Sequence, residues 1–218
     1  MEHLVLGLWR APLVETSRLQ RALIDDWAAA ALEHAGVQEL VIGTALDDQG
    51  AFASPDSPDA LVSIGLDRAH DLDDVPDRDR LHAVCRRVDV WRVDVLRPKT
   101  WERTWPDGEW APGVTRVSLV RRRPDLSHEQ FVRHWTKQHA PLALRHHVGM
   151  ADYTQNVVRR AYSPGGREVD GIAELRFRSR DDLEQRFYDS DAGKAAIRAD
   201  VAEFIDLGAG ITTLMAEL

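Results

Sequence analysis

The residues with the most chemical promise lie in one stretch, Phe131-Val132-Arg133-His134-Trp135-Thr136-Lys137-Gln138-His139-Ala140-Pro141-Leu142. On a helix, at about 100° per residue, His139 falls roughly 40° from Trp135 and 80° from Phe131, at the edge of a buried stripe. Pro141 cannot donate to the carbonyl of Lys137 and pushes Ala140 out of the helical region. The helix is therefore predicted to kink or stop just after His139, with a second turn restarting at Pro141. An imidazole there feels opposed influences, because the helix dipole favours the charged ring and burial the neutral one. A ring balanced between them can act as acid or base near neutral pH. The alternative is a core histidine bonded to a freed carbonyl.

Tyr153 and Asn156 are three apart in a strand-like stretch, so they point to opposite faces and only one can look directly into a cavity. The Tyr153 phenol either donates to a developing enolate or phenolate or anchors a strand edge. Glu174 is predicted on an inward strand face, where a carboxylate must be paired or have a raised pKa. Arg116, Arg122 or Arg176 is the expected partner, and an ion pair that merely holds the sheet is the competing role. His134 and His139 lie five apart, about 140° around a helix, and His146 and His147 are adjacent, so neither pair makes the i, i+4 face of a helical zinc site. No metal is expected. There is no G-x-S-x-G elbow, no P-loop and no G-x-G-x-x-G, and Gly165-Gly166 behind Ser163-Pro164 reads as a turn between strands. Cys85, the only cysteine, sits beside Arg86 and Arg87, which would lower its pKa; a buried structural thiol is the commoner case.

These groups need elements to hold them, and the chain supplies the same set twice. Leu4–Leu8 corresponds to Val117–Arg121, Val37–Leu46 to Ala151–Arg160, and Asp59–Leu66 to Asp170–Phe177, at offsets of 113, 114 and 111. Helical stretches fall between the first two strands of each half, Glu15–His34 with Leu19, Leu23, Trp27 and Leu32, and Ser127–His147, where Ser127 and Gln130 have capping-box spacing. Weaker helices near Arg78–Arg87 and Asp191–Phe204 precede last strands at Val88–Leu96 and Ile211–Leu218. Each half is then β-α-β-β-α-β, the ferredoxin-like order, with helices on one sheet face and the other face bare. Two such sheets can cover each other and enclose a space. The predicted fold is α+β, two ferredoxin-like units forming an intrachain dimeric α/β barrel. Residues 1–97 and 114–218 form the units, and 98–113, with Trp101, Trp105 and Trp110, form a packed connector. Parity places Leu61, Ser63 and Gly65, Ile172, Glu174 and Arg176, and Arg116, Ser118, Val120 and Arg122 facing that space, with Ala173, Leu175 and Phe177 under the helices.

The 218 residues are 44% apolar and 29% charged, enough for a core. A formal charge of −8 opposes phosphate backbones and anionic lipid, so neither nucleic acid nor membrane is an expected partner. The acidic excess falls in residues 1–113, which hold 12 basic and 21 acidic groups. Asp67, Asp71, Asp73, Asp74, Asp77 and Asp79 among them read as a solvated loop. Met1–Arg10 has an acid where a signal peptide needs base and too short an apolar run to span. With one cysteine, the cytoplasm is the expected location.

The sequence resembles the EthD family of the dimeric α/β-barrel superfamily. The residues that carry the resemblance are Arg123-Pro124-Asp125-Leu126-Ser127, Phe131 with Trp135 and His139-Ala140-Pro141-Leu142, Tyr153-Thr154-Gln155-Asn156, Asp170-Gly171-Ile172-Ala173-Glu174, and Asp200 with Phe204. The first half departs from the pattern, with Ala28–Leu32 where His139 would fall. The resemblance implies a ligand pocket for a small apolar metabolite and a cofactor-free enzyme performing polyketide-type cyclisation, dehydration or isomerisation. His139 would move the proton, Tyr153 or Asn156 would steady an oxyanion, Glu174 would orient or charge-balance the site, and Phe131 and Trp135 would shape it. Arg116 and Arg176 complete the expected substrate-binding set. A noncatalytic binding protein and a haem or cofactor-free oxidoreductase are the alternatives. Two units in one chain allow a monomeric pseudo-dimer, or a homodimer through the outer edges.

Overall fold

The computed structural model describes residues 1–52, 54–67, 75–163 and 168–218. Its strands are β1 (Glu2–Arg10), β2 (Val37–Ala45), β3 (Ala60–Leu66), β4 (Cys85–Lys99), β5 (Val114–Val120), β6 (Met150–Ala161), β7 (Gly171–Phe177) and β8 (Ile211–Glu217). They close into one barrel in the order β1-β3-β2-β8-β5-β7-β6-β4, with antiparallel pairing throughout. The class is mixed α+β. Within the ring, β4-β1-β3-β2 and β8-β5-β7-β6 run in the same relative order. Two seams join these halves. β4 meets β6 from Trp91↔Ala161 to Lys99↔Tyr153, whereas β2 meets β8 only from Gly43↔Glu217 to Ala45↔Met215. At the second seam the ring is closed by this short ladder alone.

The helices sit outside the barrel. α1 spans 16–33 as Thr16–Arg21, Ala22–Trp27 and Ala28–Glu33; α2 is Arg78–Val84; α3 spans 128–146 as His128–His134, Trp135–His139 and Ala140–His146; α4 is Arg180–Gln185; α5 is Asp191–Phe204. Strand alternation divides the core into three parts. Leu4, Leu6, Leu8, Val62 and Ile64 pack outward against Leu19, Leu23 and Trp27 of α1. Val157, Leu175 and Phe177 pack outward among Phe131, Trp135, Ile197 and Phe204 of α3 and α5. The inward set, including Val5, Trp9, Leu61, Trp91, Val117, Ile172 and Met215, fills the barrel itself.

Several sequence expectations are corrected here. On β5 the inward residues are Thr115, Val117 and Leu119, while Arg116, Ser118 and Val120 face the helices. Polarity misleads on this strand because its outer face borders a cavity that can hold polar groups. Arg122 lies beyond β5 and pairs with Asp170. Leu32 is 62% exposed, and Ala28 and Ala31 take the buried places on α1. The π-helical stretch Ala22–Trp27 shifts the register there, so a stripe counted at 3.6 residues per turn drifts off the core. β4 runs further at both ends than Val88–Leu96, and α4 was not expected at all.

Pro141 neither stops nor breaks α3. Ala140 keeps helical angles (φ −58°, ψ −47°), and Trp135–His139 form a π-helical stretch. A π turn bonds i to i+5, which absorbs the lost i to i−4 bond. The Ser127–Gln130 capping box is present in both directions. Around the connector, Asp152 accepts from Trp101 N at 2.8 Å, and Trp101 meets Trp105 edge-on at 5.2 Å. Arg176 and Arg178 lie over the Trp105 and Trp101 rings, and Trp110 is 46% exposed. The Gly165-Gly166 turn and Asp71, Asp73 and Asp74 lie outside the described residues. Among the described residues, no helix is long and apolar enough to cross a membrane.

Candidate functional site

The predicted site residues separate into two cavities on opposite faces of the same sheet. His139, Tyr153, Trp135 and Arg116 line a cavity of about 470 Å³ between β5, β6 and β7 and the overlying helices α3 and α5. Glu174, Asn156 and Arg176 line a cavity of about 180 Å³ inside the barrel mouth, with His3, Glu39, Arg97 and Glu217. Phe131 touches neither; it is fully buried in the core, 5.4 Å from the Trp135 ring. Glu174 therefore does not sit beside His139, because successive strand residues face opposite sides of the sheet.

The smaller cavity consists largely of groups that already have partners. Arg176 pairs with Glu217 and its Nε donates to Thr115 Oγ1, Asn156 donates to Glu174, and Arg97 reaches Glu39 at 3.4 Å. Burial pushes the Glu174 carboxyl above the ordinary range, opposed by the Asn156 hydrogen bond and the Arg176 charge. Neither Arg116 nor Arg122 is its partner. Ligand pockets are usually about 300–1,000 Å³ and mostly apolar with a few convergent polar groups. The larger cavity fits that description.

Behind the wall of the larger cavity, which His139 lines, the π-helical stretch of α3 brings two histidines to one carboxylate. His139 Nδ1 lies 2.6 Å from one oxygen of Asp200 and His134 Nε2 lies 2.8 Å from the other. Residues five apart diverge on an α-helix but stack on a π-helix, which explains why both rings reach Asp200 on α5. An ionised carboxylate only accepts, so Nδ1 of His139 carries a proton. In the neutral ring that leaves Nε2 as the basic nitrogen. Phe204 holds both rings in place, at 4.7 Å from His134 and 5.2 Å from His139. Burial would raise the Asp200 carboxyl, but the hydrogen bonds from His139 and His134 hold it below its ordinary value.

Tyr153, on β6, lines the same cavity as His139. Its hydroxyl oxygen accepts from Trp135 Nε1 at 3.1 Å and from Gln155 Nε2 at 2.8 Å. With both acceptor positions used, the hydroxyl proton is free to donate elsewhere. Burial pushes the phenol up to about 12, so it remains a donor at neutral pH. Gln155 also donates to the Trp135 carbonyl at 3.1 Å and so ties the strand to α3. A Cβ at Gly171 would lie 2.3 Å from the Trp135 ring; only glycine lets the indole approach the sheet here.

Sequence reasoning missed two participants. Asp200 was visible only as part of a family pattern, since nothing local connects it to His139 across 61 residues. His147, set aside for its zinc-incompatible spacing, lines the cavity and donates from Nδ1 to the Phe187 carbonyl at 2.7 Å. Burial lowers its pKa to about 4, opposed by that carbonyl and reinforced by the charges of His139 and Arg116. Cys85 is remote from the site; burial, with the charge of Asp59, pushes its thiol up to about 12, not down as neighbouring arginines would.

Residues 123–208 match the family model of the EthD domain. No curated protein matches the chain. Among solved structures, an anthrone oxidase-like protein superposes with TM-score 0.66 at 14% identity, covering 100% of this chain and 90% of that one. A candidate monooxygenase from Lactobacillus acidophilus NCFM superposes with TM-score 0.52 at 12% identity, covering 99% and 93%. An EthD family protein from Bacillus halodurans C-125 is 25% identical over 47% of this chain and 94% of its own, with TM-score 0.35. At their low identities, the first two of these establish a shared fold.

Proposed function

We propose, taking residues 123–208 as an EthD domain, that the cavity beneath α3 and α5 is the active site of a cofactor-free enzyme. Its chemistry would be acid–base catalysis on a small, largely apolar, oxygenated metabolite, leading to cyclisation, dehydration or isomerisation of a polyketide type. The observation that carries this reading is the His139–Asp200 contact of 2.6 Å at the wall of a cavity lined mainly by apolar side chains. His139 Nε2 takes the proton from a carbon activated by a carbonyl, and the C–H bonding pair becomes the enolate. Asp200 stabilises the resulting imidazolium and fixes its orientation, the role a carboxylate plays behind a histidine base. The Tyr153 hydroxyl donates to the oxygen on which negative charge develops. Trp135 forms an apolar wall. Residues 1–97 and 114–218 fit two ferredoxin-like units joined through 98–113 into one pseudo-dimer.

Anthrone is a suitable probe because it is flat, apolar and oxygenated and has an acidic methylene. In D2O, NMR follows exchange of its methylene protons. The wild-type chain should accelerate exchange over buffer, and His139→Ala should abolish the acceleration while still binding anthrone. Equal acceleration by His139→Ala would refute the role of His139. Binding without any acceleration by the wild type would leave a noncatalytic binding protein.

A further inference from the structure

We infer that this cavity is built for an anionic aromatic ligand, a ring system bearing a carboxylate or an equally acidic oxygen, with Arg116 as its anchor. The inference rests on the small-molecule reading above and names the substrate class. Among the described residues lining the cavity there are two guanidiniums, Arg116 and Arg198, and two imidazoles, His139 and His147, but no aspartate or glutamate. This occurs in a chain whose formal charge is −8, so the local sign is opposite to the global one.

Arg116 is the distinctive group. No carboxylate pairs with it among the described residues, and its Nε is buried without any hydrogen-bond partner. Its other contacts are weak ones for a guanidinium. Nη2 reaches Thr212 Oγ1 at 3.4 Å, and the charge lies 5.5 Å and 5.4 Å from the Phe52 and Phe187 rings. A half-buried guanidinium with an orphaned Nε and no carboxylate partner is costly unless something completes it. A planar guanidinium matches a carboxylate through two parallel N–H···O bonds. The flanking rings leave apolar surface against which an aromatic body can lie. Ile197, Val201, Leu175 and Ile211 continue that surface toward α5 and β8.

Two further features define the charge of the cavity. His147 is held neutral by burial, with Nδ1–H committed to Phe187, so the positive charge of the lining rests on the guanidiniums. Arg198, exposed on α5, borders the cavity and supplies charge at the entrance. Arg116 also lies outside residues 123–208, on the strand preceding the family match. The anchor is thus contributed by β5, opposite the His139–Asp200 wall.

The test compares 2-naphthoate with its neutral, shape-matched amide, 2-naphthamide, by titration calorimetry on the full chain at pH 7. Charge-assisted bonding to Arg116 should make naphthoate bind at least about tenfold tighter than naphthamide. Arg116→Met should lower naphthoate affinity to that of naphthamide and so abolish the preference, and Arg116→Lys should retain part of it. Equal binding of acid and amide by the wild type overturns the inference, as does a preference that survives in a folded Arg116→Met. The wild-type comparison decides the matter even where Arg116→Met does not fold. If acid and amide bind equally while anthrone exchange still depends on His139, the anionic anchor falls and the catalytic reading stands. If neither naphthalene compound binds and anthrone exchange is not accelerated, both fall together.

Discussion

The buried neutral His147 makes the protein sensitive to mild acid, and the size of that effect follows from its surroundings. Its pKa falls from 6.5 to about 4 on folding, and the residue is 3% exposed. Between these values the unfolded chain binds the proton more readily than the folded one, so stability rises with pH through this window. The contribution is fully present above 6.5 and is lost as pH falls toward 4. Going from pH 7 to pH 5 should cost about 2 kcal/mol from this residue alone. His3, lowered by burial at the barrel mouth, adds an effect of the same sign. The perturbation is therefore His147→Gln, and the quantity is the difference in pH dependence between the two chains. Urea unfolding followed by tryptophan fluorescence at both pH values supplies it. The wild type should lose about 2 kcal/mol more than the variant over this interval. Parallel losses in the two chains would show that His147 is not held neutral, and the argument for its committed Nδ1–H would collapse.

Other expectations follow from the same geometry. Asp200→Asn should slow catalysed anthrone exchange about 100-fold with little change in anthrone affinity, because it removes the group that fixes and charges the His139 ring; exchange at the wild-type rate would contradict this. Gly171→Ala should destabilise by about 1–3 kcal/mol and shift the Trp135 emission, since its Cβ would collide with the indole; an unchanged melting temperature would count against the packing. Cys85 should resist a chromogenic disulfide reagent at pH 8 until the chain unfolds, because its thiol is buried and pushed up to about 12; rapid labelling of the native chain would contradict that. Glu174→Gln should leave naphthoate affinity within about twofold, as the carboxylate faces the barrel interior and is remote from the anchor; a large loss would mean the two cavities communicate.

Local pattern reached some of these elements and not others. The Ser127–Gln130 cap and the α5 range Asp191–Phe204 were legible because capping and amphipathic spacing are properties of neighbouring residues. The outward facing of Leu175 and Phe177, and the inward facing of Ile172 and Glu174, followed from period-two alternation with clear apolar contrast. On β5 that contrast fails. Arg116 and Ser118 look like residues avoiding a helix layer, yet they face one, because the layer stands away from the sheet and leaves a cavity. The shared Asp200 of His134 and His139 was not legible because an α-helical period sets them about 140° apart, and the π-helical stretch removes that separation.

The linear order of residues, then, determined where the strands and most of the helices form and that His139 would be buried at the edge of a helix stripe, since these depend on short-range periodicity and side-chain size. It could not determine that the sheet would carry a cavity on each face, or that Tyr153 and Glu174 would end on opposite sides of it. Nor could it bring Asp200 to His139, or leave Arg116 without a carboxylate. Those outcomes depend on the π turn in α3, on strand register and on edge-to-edge closure, which are settled only when distant segments pack together.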